Sequence, residues 1–356
     1  RTFFLNECRR TESLSSKPER MMHPMKIGVV GVGALGCLLG AYLGDAGDVI
    51  MIGHWLDQVA TIKATGLRVR FPDGRVSTHF PSITASPAET GQVDVALVVV
   101  KSRQTQEAAQ LTARILKPEG LAITLQNGLN NCAILREVLG EQRTTLGITS
   151  QGATVLGVAE IMHAGHGPTY FGRDRSLGET QLALLPQIVE LFNHSGLEAY
   201  LVDETDGLVW GKLAVNSAIN PLTALLRVPN GFLVEHEALV DIMRRASQEV
   251  ESVARAQGII LPFPDAAERA LEVARATATN RSSMLQDIAR GAPTEVEAIC
   301  GAVARIARDL GIQTPVNLRL CRLVRQVEEG QPPLLEQGDV DGLLRLLDLP
   351  TLESSR

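Results

Sequence analysis

The segment from Met25, MKIGVVGVGALGCLLGAYLGDAG, constrains the fold of this chain more than any other. An apolar run of strand length leads into Gly31-Val32-Gly33-Ala34-Leu35-Gly36, and a helical pattern follows. A GxGxxG spacing alone is a weak signal, because glycines are common. Between a strand and a helix it acquires a mechanism. The first glycine permits the tight turn, the second lets the backbone approach a pyrophosphate, and the third lets helix and strand pack closely. The first turn of such a helix also leaves N–H groups free for phosphate oxygens. Gly31, Val32, Gly33, Ala34, Leu35 and Gly36 are therefore candidate dinucleotide-binding positions. A tight turn without a ligand is the alternative reading.

The rest of the first half fits this start. DVIMIG (48–53) reads as a second strand, and GLRVRFPDGRVSTHF (66–80) alternates like a hairpin around Asp73-Gly74. VDVALVVVK (93–101) is a continuous apolar run, as expected of a strand covered on both faces. QTQEAAQLTARIL then reads as a helix, and LAITLQNGL as a strand ending at Asn127-Gly128. TTLGITSQGATVLG and EIMHAGHGPTYFG read as further strands with glycine turns. Alternating strands and helices predict an α/β doubly wound parallel sheet with added antiparallel strands. After EAYLVD (198–203) the pattern becomes almost wholly helical, with breaks at Pro229-Asn230-Gly231, Pro262-Phe263-Pro264, Gly291-Ala292-Pro293 and near Pro315. The expected organisation is a leader without fixed structure over 1–24, a dinucleotide-binding domain over 25–204, an all-helical domain over 205–330, and a tail over 331–356. GLLRLLDLP in the tail is amphipathic and receives no role.

Composition narrows the function. A net charge of −6 offers no general attraction to nucleic acid or anionic membrane, and 4% aromatics leaves few stacking platforms for single strands. No apolar run reaches the roughly 18 residues a membrane span requires. The five cysteines show no metal-ligand spacing, which favours reduced thiols in a cytoplasmic protein and no metal. His163 and His166 lack acidic or cysteine partners at ligand spacing and read as turn residues between strands. The apolar helices beyond residue 240 are expected to supply core and the surface of a homodimer.

The second informative stretch is WGKLAVNSAINPLTAL (210–225). Lys212, Asn216 and Asn220 are four residues apart, so they share one face of a helix whose other positions are apolar. Pro221 is expected to bend or stop that helix. The stripe is either a solvated surface or the lining of a ligand cleft. At the tip of the second strand, Gly53-His54-Trp55 offers neither the acid that accepts NAD ribose hydroxyls nor the arginine that favours a 2′-phosphate. His54 reads as a phosphate contact or as an exposed loop histidine. Lys101 ends a buried strand at the carboxyl edge of the sheet, either as a ligand-facing or as a structural lysine.

Together these segments resemble ketopantoate reductase (2-dehydropantoate 2-reductase). The resemblance runs from Met25 to about residue 328. It rests on IGVVGVGALG, Lys101 after VVV, Gln126-Asn127-Gly128, the KLAVNSAINPLTA stretch, Pro229-Asn230-Gly231, Asn280-Arg281-Ser282-Ser283-Met284-Leu285-Gln286-Asp287 and Thr294-Glu295. It implies a Rossmann-type domain followed by a helical domain like the C-terminal domain of 6-phosphogluconate dehydrogenase, closing over a cleft. It also implies NADPH-dependent reduction of ketopantoate to pantoate, a step toward pantothenate and coenzyme A. By the resemblance Lys212 donates the proton, and Gly31 to Gly36 hold the pyrophosphate. Lys101, Asn127 and Ala153 line the cofactor. Asn127, Lys212, Asn216, Asn220, Asn230, Asn280 and Ser283 hold the substrate, and Glu295 sits where substrate and cofactor ribose meet. At His54 the chain departs from the family, whose NADPH-using members usually carry arginine, so NAD remains the second choice of cofactor. The other readings are reduction of a different 2-keto acid on the same fold, a β-hydroxyacid dehydrogenase, and a non-catalytic dinucleotide sensor.

Overall fold

A computed structural model of the chain describes residues 25–331 and 335–348. The leader expected over 1–24 and parts of the tail lie outside the described residues. The described residues divide into two compact units, one holding 25–126 together with 130–205, the other holding 127–129 and the described residues from 206 onward.

The first unit carries twelve strands: β1 (Lys26–Val30), β2 (Asp48–Ile52), β3 (Leu67–Arg70), β4 (Val76–His79), β5 (Ser82–Thr84), β6 (Val93–Val98), β7 (Leu116–Thr124), β8 (Thr144–Thr149), β9 (Gly152–Gly157), β10 (Glu160–Gly165), β11 (Thr169–Gly172) and β12 (Ala199–Val202). Its helices are α1 (Ala34–Gly44), α2 (Leu56–Thr65), α3 (Pro87–Thr90), α4 (Thr105–Ile115), α5 (Asn131–Leu139) and α6 (Glu179–His194). Eight strands form one sheet in the order β12-β11-β8-β7-β6-β1-β2-β5, parallel except where β11 meets β8. This is the doubly wound, Rossmann-type sheet expected from the alternation of elements.

The continuous apolar run of β6 has the anticipated cause. Val95 and Leu97 enter the core shared with α1 and α6, whereas Ala96 and Val98 enter the core shared with α4 and α5. Successive side chains of a strand point to opposite faces, so a strand covered on both faces must be apolar throughout.

The remaining strands form a second sheet, β4-β3-β10-β9. The hairpin read over 66–80 is β3 paired antiparallel with β4, Leu67 opposite His79. Helix α1 packs against β1 and β2 and also against β3, β9 and β10. Covered by two sheets, it is apolar on nearly every side. His163 lies inside β10 and is buried, not in a turn. Strand alternation places it on the same face as Ile161, and the glycines at 165 and 167 obscured that periodicity in the sequence. Its ring meets Tyr42 Oη and Gln151 Oε1, each at 2.9 Å. Burial, with the neighbouring His166, pulls its pKa down to about 4.

The second unit is helical: α7 (Asp206–Leu226), α8 (Glu237–Ala256), α9 (Ala266–Ala276), α10 (Ser283–Ala289), α11 (Ala302–Asp309), α12 (Pro315–Glu328) and α13 (Val340–Leu347). α7 runs through its core, with Leu213, Ala214, Ala218, Ile219, Leu222 and Leu226 packed against α8, α9, α10 and α12. Each such leucine contributes roughly 1.5–3 kcal/mol by burial, so Leu222→Ala would cost about 2–5 kcal/mol. Pro221 does not stop α7, which continues to Leu226. Enclosure on most sides, including 16 buried residues from Leu208 to Leu226, outweighs one missing hydrogen bond. Pro315 opens α12 at its first turn, where a missing N–H costs nothing. The amphipathic piece of the tail is α13, which buries Leu343 and Leu347.

Candidate active site

The glycine turn of the first unit has the geometry its spacing implies. Gly31 adopts φ +123°, outside the range open to other residues, and donates its N–H to Ile52 O at 2.8 Å. A Cβ on Gly36 would stand 1.9 Å from Gly31 O, so helix and strand can approach this closely only without one. Gly33 is exposed, and a Cβ there would meet nothing within 4 Å, leaving the turn open on that side. Gly33 is also the N-cap of α1, and no side chain caps that helix. Uncapped N–H groups beside an open glycine face are what a pyrophosphate needs, so the turn fits a dinucleotide. Val32 is buried, while Ala34 and Leu35 are half-buried at the helix start.

The other cofactor candidates of this unit are placed as follows. His54 is exposed just beyond β2, next to exposed Trp55. Lys101 is half-buried beyond the end of β6, and its carbonyl accepts from Gln104 N–H at 2.8 Å. Ala153 is half-buried in β9, paired with His163. Gln126 serves the sheet edge: its Nε2 donates to Val100 O at 3.0 Å and to Thr105 Oγ1 at 2.8 Å.

In the second unit three distant segments converge. α7 carries the stripe, with Lys212 and Asn216 half-buried and Asn220 buried. Glu295 is buried, and Asn127 Nδ2 donates to its Oε2 at 3.3 Å. The loop 127–129 reaches this place because Leu129 N–H donates to Ala298 O at 3.1 Å. Gly128, at φ +83°, passes so close that a Cβ would lie 2.6 Å from Ala298 O. Ala298 belongs to a π-helical turn, Glu297–Gly301, and Thr294 Oγ1 accepts from Val296 N–H at 3.1 Å at its entrance. Such wide turns depart from the regular ladder and often accompany functional sites. Burial pushes the Lys212 pKa down from 10.5 to about 8, and the charge of Glu295 opposes that shift.

Asn230 is buried at the head of a 3₁₀ turn, Asn230–Glu235. Its Nδ2 donates to Thr277 Oγ1 at 2.9 Å, and its N–H donates to Asn280 O at 3.0 Å. Its Oδ1 is buried with no hydrogen-bond partner. A buried acceptor without a donor is costly and invites a ligand hydroxyl. Asn280 is half-buried, and Ser283 is exposed at the first position of α10.

The neighbour of Ser283, Ser282, was missed by sequence reasoning. Ser282 is buried, accepts from Leu285 N–H at 3.1 Å as N-cap, and receives the Thr223 hydroxyl at 2.7 Å. Its N-cap role was readable from serine before an apolar helix. Thr277 was missed too, and nothing in its local sequence marks it. Among the described residues no three His, Cys, Asp or Glu side chains could hold a metal ion.

Comparison with known proteins places this geometry. The ketopantoate reductase PanE/ApbA family model matches residues 27–176, and the model of that family's C-terminal domain matches 204–328. The 2-dehydropantoate 2-reductase of Halobacterium salinarum is 38% identical over 303 residues, covering 85% of this chain and 98% of that protein. That of Archaeoglobus fulgidus is 36% identical, covering 87% and 100%. Among solved structures, a PanE/ApbA family ketopantoate reductase from Ralstonia eutropha superposes with a TM-score of 0.78 at 31% identity, covering 86% of this chain and 99% of that one. D-mandelate dehydrogenase with NADH and anilino(oxo)acetate gives a TM-score of 0.78 at 25% identity, with the same coverage.

Proposed function

The chain belongs to the ketopantoate reductase family, and on that premise we propose that it reduces 2-dehydropantoate to pantoate with NADPH, a step toward pantothenate and coenzyme A. The observation that carries this reading is Lys212, whose ammonium is desolvated to a pKa of about 8 on a helix face shared with Asn216 and Asn220. A solvated surface lysine would have kept its ordinary value.

Held by the glycine turn, a nicotinamide cofactor would supply the hydride that reduces the 2-keto carbon. The carbonyl oxygen thereby becomes an alkoxide. Lys212 Nζ stabilises the developing charge and transfers a proton to that oxygen. With a pKa of about 8 it is mostly charged at pH 7 yet a stronger acid than an ordinary lysine. Glu295 keeps the ammonium charged before transfer and draws a proton back onto it afterwards. Asn127 holds the Glu295 carboxylate through its Nδ2. Asn216 and Asn220 bind the substrate's other oxygens without adding buried charge. Asn230 Oδ1 accepts the substrate hydroxyl, which gives that oxygen the donor it lacks. Asn280 and Ser283 complete the substrate contacts. Gly31 to Gly36 receive the pyrophosphate, with Lys101 and Ala153 along the cofactor.

A second reading has its own support. The tip of β2 presents Gly53, His54 and Trp55, with neither acid nor arginine. A protein of the same fold, D-mandelate dehydrogenase, has been solved with NADH. This supports an NADH-linked reductase of a bulkier 2-keto acid. Initial rates with ketopantoate and with aromatic 2-keto acids, each with NADPH and NADH, separate the two. Faster turnover of ketopantoate with NADPH is expected. A tenfold preference for NADH overturns the cofactor, and absence of ketopantoate turnover overturns the substrate.

A further inference from the structure

Gln58 lies in α2, four residues beyond His54, and is fully buried. An amide carries two donors and an acceptor, so complete burial demands partners for them. Its Nε2 donates to Cys37 Sγ at 3.1 Å and to Val32 O at 3.4 Å. Its Oε1 accepts from Ala159 N–H at 2.7 Å. The Ala159 donor fixes which end of the amide is oxygen.

Each partner belongs to a segment already tied to the cofactor. Val32 lies between Gly31 and Gly33, and Cys37 directly follows Gly36. The Cys37 thiol donates to the same Val32 carbonyl at 3.4 Å. Burial pushes that thiol up to about 12, so it keeps the proton it donates. Ala159 forms the turn between β9 and β10, and β9 carries Ala153. Ala159 is buried at φ +56°, a backbone conformation that alanine adopts only under constraint. It is held from both sides, because its carbonyl accepts from Arg68 N–H at 2.9 Å.

We infer that Gln58 is a positioning residue for the dinucleotide, latching the glycine turn, the helix after the β2 tip and the β9–β10 turn to one another so that the phosphate-binding N–H groups are fixed before the cofactor arrives. The inference rests on the proposed dinucleotide-dependent function. A binding loop already held in its bound form loses less freedom on binding, and the affinity rises accordingly. The amide is suited to the task because one group grips two segments with opposite hydrogen-bonding needs, a carbonyl on one side and an N–H on the other. An apolar side chain of the same size would fill the space and release both.

The test is Gln58→Met, a near-isosteric change, with Asn317→Leu as control. Asn317 is a buried amide of the second unit that donates to Ala246 O at 2.9 Å, so its loss also destabilises, but far from the glycine turn in the chain. NADPH affinity is measured by fluorescence titration, thermal melting by circular dichroism, and turnover at saturating cofactor. The expected result is a rise of about tenfold in the NADPH dissociation constant for Gln58→Met, with kcat within twofold of native, whereas Asn317→Leu melts earlier and binds NADPH as the native protein does. Should Gln58→Met fail to fold, Cys37→Ala decides. It removes the sulfur partner and should raise the dissociation constant about threefold. A lowered melting temperature with unchanged NADPH affinity in the folded variant makes Gln58 a packing residue only and overturns the inference. A native protein that binds neither NADPH nor NADH overturns the functional reading as well, which separates the two failures.

Discussion

The titration of Lys212 provides the sharpest test of the chemistry. Its pKa of about 8 makes the ammonium roughly 90% protonated at pH 7, about 10% at pH 9 and about 1% at pH 10. If it supplies the proton, kcat/KM for ketopantoate at saturating NADPH is level below pH 7 and falls about tenfold for each pH unit above 8. An ordinary lysine near 10.4 would leave the rate level to about pH 10. The same shift makes a separate statement about stability. Below pH 8 both folded and unfolded chains carry the proton, and the folded state bears a net penalty of about 3 kcal/mol, burial less the Glu295 attraction. Between about pH 8 and 10.5 the folded lysine sheds its proton before the unfolded one does, so this contribution to stability recovers as pH rises. Lys212→Ala removes the donor and should lower kcat by about 10² to 10⁴, the range for a positioned general acid. Lys212→Arg should not restore it, because guanidinium holds its proton and its fork is wider. The assay is NADPH oxidation followed by absorbance from pH 6 to 10. A rate that stays level past pH 9.5, or a folded, NADPH-binding Lys212→Ala protein with more than a third of native turnover, would falsify the assignment.

Other expected outcomes follow from neighbouring geometry. Glu295→Gln removes the charge that holds the Lys212 pKa up, so the alkaline limb of the same profile should move to lower pH; a limb that stays in place means Glu295 does not act on the lysine. Asn216→Ala and Asn220→Ala should raise the keto acid KM at least tenfold while the NADPH KM changes less than threefold, and an equal loss of NADPH affinity would put these amides on the wrong ligand. His54→Arg should improve NADPH over NADH by supplying a guanidinium for a 2′-phosphate, read as the ratio of kcat/KM values, and an unchanged ratio removes the β2 tip from cofactor selection. Gly36→Ala forces a Cβ to within 1.9 Å of Gly31 O, so dinucleotide binding should be abolished in a cofactor titration; native affinity would mean the turn does not hold the pyrophosphate.

The sequence made some of this visible and hid the rest, for physical reasons. The eight-stranded sheet was legible because its strands bury both faces and the glycine turn has a spacing set by backbone sterics. The α7 stripe was legible because helical periodicity places Lys212, Asn216 and Asn220 together without reference to the rest of the fold. The second sheet was legible only as strands. Its pairing of β3 with β10, Arg68 opposite Glu160 and 92 residues on, depends on α1 needing cover on a further side. Gln58 could not be singled out, since a polar side chain on α2 gives no local sign that its partners are Val32, Cys37 and Ala159.

The attachment of residues 127–129 to the second unit could not be read from the sequence, and it brings Asn127 to Glu295, whose charge acts on Lys212. A strand followed by Gln126-Asn127-Gly128 reads locally as a sheet edge, and Gln126 does serve that edge. One residue later the chain leaves for the π-helical turn, held by Leu129 N–H on Ala298 O. Asn127 thereby brings an N–H donor to the buried Glu295 carboxylate. The Glu295 charge in turn limits how far burial depresses the Lys212 pKa. A pKa near 8 therefore depends on burial and on Glu295, 83 residues further along the chain, and Asn127, 85 residues before Lys212, meets that carboxylate because Gly128 lacks a Cβ where it passes Ala298.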